Sequence, residues 1–146
     1  MQGLILFAHG ARDARWAQPF EQVAARVRAL QPGLAVSLAY LEFLEPDLDA
    51  AGQALVQAGC SEIAVLPLFL GAGGHVRKDL PERLARLGQA YPAVQWTLRP
   101  AAGESARLVE ALAQLAVEPA APNDQNDQND QNDQNDQNDQ NDEERA

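Results

Sequence analysis

The chain has 146 residues and a formal net charge of −10, long enough for one domain with a real core. From Asn123 onward seven Asp, two Glu and one Arg carry −8 of that charge, which leaves −2 on residues 1–122. An acidic tail on a nearly neutral body argues against a polyanionic partner, since phosphate binding needs a basic surface; no nucleic acid is expected.

Cys60 is the sole cysteine. No internal disulfide can form, and a reducing, cytoplasmic setting is expected. Its place before an apolar strand suits packing as a small hydrophobe, with a reactive thiol as the alternative. The N-terminus lacks a charged region followed by a signal-like apolar one, and no run approaches the ~20 apolar residues of a membrane span. No membrane partner is expected.

Gly3 to Ala8 reads as the first strand, a short apolar run bounded by glycine. Arg12-Asp13 opens a helix with Asp13 as N-cap. Trp16, Phe20, Val23, Ala24, Val27 and Leu30 recur at helical steps, and Gln31-Pro32-Gly33 ends them. Leu34 to Leu41 is a second strand, with Leu34, Val36, Leu38 and Tyr40 on one face. After the loop Glu42-Phe43-Leu44-Glu45-Pro46, a helix starts near Asp47, with Leu48, Ala51, Leu55 and Val56 inward and Gly59 closing it. Ile63 to Leu68 is the third strand.

A glycine loop, Gly71-Ala72-Gly73-Gly74-His75, follows the apolar run that ends at Leu70. The next helix is predicted to be capped near Asp79, with Pro81 in its first turn and Leu80, Leu84 and Leu87 inward. Val94 to Leu98 is the fourth strand and Ser105 to Leu115 the last helix. Strand and helix thus alternate four times. This predicts an α/β fold with one doubly wound parallel sheet, order 2-1-3-4, and helices on both faces.

Residues 1–116 form the expected domain. Residues 117–146 read as a disordered acidic tail, because six copies of Asn-Asp-Gln offer no apolar side chain to repay the entropy of ordering. Weak metal buffering by its carboxylates is the functional alternative to a merely solvated tail.

The chain has two histidines, His9 and His75, and each sits in a glycine-flanked loop just past a strand. Ligands of open α/β sheets bind beyond the carboxyl ends of the strands. Imidazole ligates cobalt, nickel, iron and zinc, and two imidazoles with Glu42 or Glu45 would leave an incomplete shell, suited to a metal that is handed on. On spacing alone, metal binding and ordinary loop packing both stay open. Gly71, Gly73 and Gly74 leave the loop without bulk, so a flat ligand can approach its backbone. A phosphate loop is disfavoured, since neither Gly-Lys-Ser/Thr nor G-x-G-x-x-G is present. Arg12, Arg15, Arg77 and Lys78 flank the histidines and would suit a ligand with several carboxylates, or would simply be solvated helix starts.

His9-Gly10, Leu41-Glu42-Phe43-x-Glu45-Pro46, and Pro67-x-Phe69-Leu70-x-x-Gly73-x-His75-x-x-x-Asp79-x-Pro81 together resemble the short CbiX-type sirohydrochlorin chelatases, of the class II tetrapyrrole chelatases. The resemblance covers residues 1 to about 116. It implies insertion of a divalent metal into sirohydrochlorin without ATP or an organic cofactor. His9 would be proton acceptor and metal ligand, and His75 the second ligand. Glu45 would be a substrate-contacting acid, and Leu70, Gly71, Ala72, Gly73, Gly74 and His75 the loop against the macrocycle. Short members are expected to pair as homodimers.

Two departures stand out. Ala8-His9-Gly10-Ala11-Arg12 replaces the frequent Gly-His-Gly-Ser-Arg, which removes a hydroxyl but neither ligand. The Asn-Asp-Gln tail has no imidazole to copy the histidine-rich segment of some relatives. Co2+ for a cobalamin-type pathway is the expected metal, with Fe2+ for sirohaem, or Ni2+, as alternatives. A non-catalytic metal or tetrapyrrole carrier is the competing class, and a flavodoxin-like nucleotide binder is disfavoured by the missing phosphate motif.

Overall fold

The computed structural model describes residues 1–71 and 73–119. The expectations for Ala72 and for the repeat tail fall outside the described residues. Four strands, β1 (Gln2–Ala8), β2 (Ala35–Tyr40), β3 (Glu62–Pro67) and β4 (Gln95–Leu98), form one sheet in the order β2-β1-β3-β4. All three pairings are parallel. The helices are α1 (Gln18–Leu30), α2 (Leu48–Gln57), α3 (Gly74–Ala90) and α4 (Ala106–Val117). No helix among the described residues is long and apolar enough to cross a membrane.

The period-two alternation of β1 divides the core. Ile5 and Phe7 point to one face, where Ile63 and Val65 join Leu48, Ala51 and Leu55 of α2 and Leu80, Leu84 and Leu87 of α3. Leu4 and Leu6 point to the other face and pack with Ala24 and Val27 of α1 and with Val36 and Leu38. Cys60 is buried in the first of these cores, the packing role expected of it. Gly52 lets α2 come close to the sheet's end, since a Cβ there would meet the Trp96 ring at 3.0 Å.

Two helix starts differ from expectation. Asp13 does cap, accepting from Arg15 N–H, but what it caps is a 3-10 turn, Ala14–Ala17, and α1 proper begins at Gln18. The third helix begins at Gly74 rather than near Asp79, with Gly73 as its N-cap, so Pro81 lies inside it. Val76 packs against the same core as Leu80, Leu84 and Leu87, which extends the apolar stripe one turn upstream of the proline. His75 is therefore a first-turn helical residue. The compact unit formed by residues Met1–Ala113 is followed by a second, Gln114–Ala146. No residue of α4 is buried.

Leu48 has no exposed surface and touches the main core. Leu48→Ala is expected to destabilise the fold by about 2–5 kcal/mol through lost burial and a residual cavity. A urea titration followed by circular dichroism would read this as a lower midpoint at unchanged slope.

Candidate functional site

The backbone pairing of β1 continues past its last residue. Leu41 N–H donates to Ala8 C=O at 2.9 Å and Glu42 N–H to His9 C=O at 3.1 Å, while on the other side Leu68 N–H donates to Phe7 C=O at 2.7 Å. The chain leaving β2 and the chain leaving β3 are thus tied to the two sides of the strand that ends in His9. Gly10 makes the close approach of Glu42 possible. Its φ is +86°, and a Cβ there would collide with the Glu42 carbonyl oxygen.

His9 is exposed, but its ring is not loose. It stacks on Phe69 with centroids 4.2 Å apart and planes 32° apart. Phe69 is 2% exposed and packs edge-on against Phe7, with centroids 5.8 Å apart. Phe69 is itself anchored, since Gly103 N–H donates to its carbonyl at 2.8 Å. Gly103 lies so close to the Leu70 backbone that no side chain could stand there. An imidazole is in this way held on an aromatic shelf built from the core outward.

His75 is exposed on the first turn of α3, whose N-cap Gly73 offers no side chain to the N–H groups of that turn. Leu70 is also exposed. Together with Gly71 it forms one wall of a cleft of about 460 Å³, closed by Val76, Arg77 and Leu80 of α3 and by Arg99 after β4. Neither histidine lines this cleft, yet it shares Leu70, Gly71 and Arg77 with the predicted substrate site.

The acidic and basic residues divide. Glu42 and Glu45 are both exposed on the loop after β2. Glu42 is joined to His9 through backbone, not through its carboxylate. No group of three His, Cys, Asp or Glu poised to hold a metal occurs among the described residues, so no carboxylate completes a ligand set with the two imidazoles. Arg12 lies with its guanidinium 4.9 Å from the centre of the Phe43 ring. Arg77 reaches the cleft, and Lys78 is exposed on α3.

Arg15, expected at the rim, is paired locally. It forks onto Asp13, with Nη2 at 2.8 Å and Nε at 3.2 Å. The Arg15 side chain, and then its backbone N–H, hold the Asp13 carboxyl below its ordinary range, and Asp13 in turn raises the guanidinium. An Asp two residues before an Arg was a local signal of this pairing. Phe43 and Phe69 stand in the motifs quoted above but were given no role by sequence reasoning, and Arg99 was not singled out at all.

The molecule is an α/β lobe of the doubly wound kind, with His9 just past the end of β1 and His75 on the first turn of α3. The sequence model of the CbiX family matches residues 3–118, and the chain belongs to that family. It is similar to the sirohydrochlorin cobaltochelatase of Sulfolobus acidocaldarius, 33% identical over 84 residues, which are 58% of this chain and 67% of that protein. It is also similar to the sirohydrochlorin ferrochelatase of Bacillus subtilis, 30% identical over 97 residues, 64% of this chain but only 36% of that protein. Among solved structures, the CbiX protein from Marinobacter aquaeolei VT8 superposes with a TM-score of 0.70 at 35% identity, covering 80% of this chain and 94% of the other. The chain therefore matches most of a short relative but little more than a third of a long one.

Gly10→Ala is expected to force the Glu42 carbonyl away and to shift the His9 backbone with it. Because both the positive φ and the contact are lost, the variant should lose about 1 kcal/mol or more of stability. The imidazole resonances of His9 should move while those of His75 stay in place.

Proposed function

We propose that the chain inserts a divalent metal into sirohydrochlorin without ATP. The observation that carries this reading is His9, held on Phe69 at the end of β1, in a chain whose family match spans 3–118. An exposed imidazole on a rigid support is what a proton acceptor for a pyrrole N–H requires, because geometry comes before basicity in general base catalysis. The incoming metal is a substrate and not a resident cofactor. His75, with His9, is the ligand pair proposed to deliver it. Two ring protons leave as the cation enters, one to the His9 imidazole and one to solvent, so the macrocycle nitrogens become anionic donors while the metal sheds its protein ligands.

His9 cannot use one lone pair for both a proton and a metal, which gives the reaction an order: ligation first, proton acceptance as the metal moves across. Glu45, Leu70 and the glycines of 71–74 are the proposed contacts to the macrocycle, with Arg12, Arg77 and Lys78 for its carboxylates. Arg15 would join them only by giving up Asp13.

Cobalt is the proposed metal. The cobaltochelatase relative at 33% identity supports it, and the ferrochelatase relative at 30% supports iron almost as well. Imidazole donors accept either. A homodimer is proposed by analogy with the short members of the family, and α4, which leaves Val109 and Leu112 exposed, offers an apolar face for it. Residues 1–116 are proposed to carry the activity, in the cytoplasm, where Cys60 stays reduced.

His9→Ala is expected to lower kcat/KM for metal insertion by about 10²–10⁴-fold, the usual weight of a general base, in an absorbance assay with sirohydrochlorin and Co2+. Retained insertion would remove His9 from the reaction, and a native chain that binds the macrocycle without inserting metal would be a carrier.

A chain ending at Ala116 should turn over as the full-length chain does. Lower turnover or metal content would give the tail a part in the reaction.

A further inference from the structure

The loop after β2 holds a conformation that its sequence does not favour. Phe43 has φ +65° and is, among the described residues, the non-glycine residue at positive φ. Leu44 N–H donates to Glu42 C=O at 2.8 Å, so Phe43 is the centre of a γ-turn of the rare, strained hand. A bulky aromatic suits this region poorly, because its Cβ crowds the neighbouring carbonyl. Burial gives nothing back, since Phe43 is 56% exposed. Its partner is the Arg12 guanidinium at 4.9 Å, a modest return at an exposed site. Folding alone gives no reason to keep a large apolar ring at such a position.

The turn is also fixed in place. Tyr40 N–H donates to Pro46 C=O at 2.9 Å and closes the loop at its base. Glu42, the residue before Phe43, bonds to the His9 carbonyl and rests against Gly10, where no Cβ intervenes. Phe43 is thus held one residue from a backbone bond to the proposed proton acceptor. The strand order places the β2 loop with Phe43 on one side of His9 and the β3 loop with exposed Leu70 on the other.

We infer that Phe43 is a substrate-contacting residue, whose ring lies against the conjugated macrocycle while Arg12 pairs with a carboxylate at its rim. The inference rests on the tetrapyrrole reading proposed above. A conjugated macrocycle fringed with carboxylates offers two kinds of surface, a flat apolar face and peripheral anions. The Phe43–Arg12 pair offers the complement of both on one rigid turn. Strain held at a binding position is the pattern expected where ligand contact, and not folding, selects the conformation.

The test is binding of metal-free sirohydrochlorin to the full chain, followed by its absorbance and fluorescence. Phe43→Gly and Phe43→Trp are compared with the native chain. Glycine accepts positive φ freely, so Phe43→Gly should keep a thermal midpoint close to the native value while its Kd rises about tenfold or more. Phe43→Trp, which keeps an aromatic face, should bind like the native chain. Native-like affinity in Phe43→Gly would overturn the inference and leave the chelatase reading standing. A native chain that does not bind the macrocycle would overturn both. Sedimentation showing that Phe43→Gly alters self-association and not macrocycle affinity would make Phe43 a subunit contact and overturn the inference.

Discussion

Parallel pairing of β1 between β2 and β3 is the constraint on which the edge depends. It is a backbone arrangement, and it runs past the end of the strand, through Leu41 to Ala8 and Glu42 to His9 on one side and Leu68 to Phe7 on the other. Three chain segments far apart in sequence leave the sheet side by side because of it. Every side chain discussed for the reaction sits on one of those segments or on the first turn of α3. The hydrophobic faces of β1 hold this arrangement from beneath, with Ile5 and Phe7 toward α2 and α3 and Leu4 and Leu6 toward α1.

His9 is exposed but packed from beneath. Phe7, Phe69 and His9 form a column that starts in the core and ends at the surface, so the imidazole takes its orientation from packing and not from a hydrogen bond to a carboxylate. Gly10 and Gly103 act alike on the two sides of this column. Each omits a Cβ so that the next loop can lie against it.

Much of this was legible in the chain itself. The four strands, their order and the division of β1 between two faces follow from short apolar runs bounded by glycine and from right-handed crossovers. The start of the third helix was not, because Asp79 and Pro81 carry a strong local start signal. The competing signal, Val76 completing the stripe of Leu80, Leu84 and Leu87, becomes visible only against the core that it meets. Arg15 shows the reverse case. Its pairing with Asp13 is local, and a rim of cations read from their places beside the histidines overlooked it.

The sequence by itself determined the architecture and the family, because those depend on periodicity, on turn residues and on motifs carried by neighbouring positions. Only the tertiary structure decided how the edge is built: the ring under His9, the strained turn that presents Phe43, and the cleft shared by Arg77 and Arg99. Each of these arises where residues from different strands meet at the sheet's end. No local pattern encodes which of them will touch, since that is set by the packing of the whole sheet.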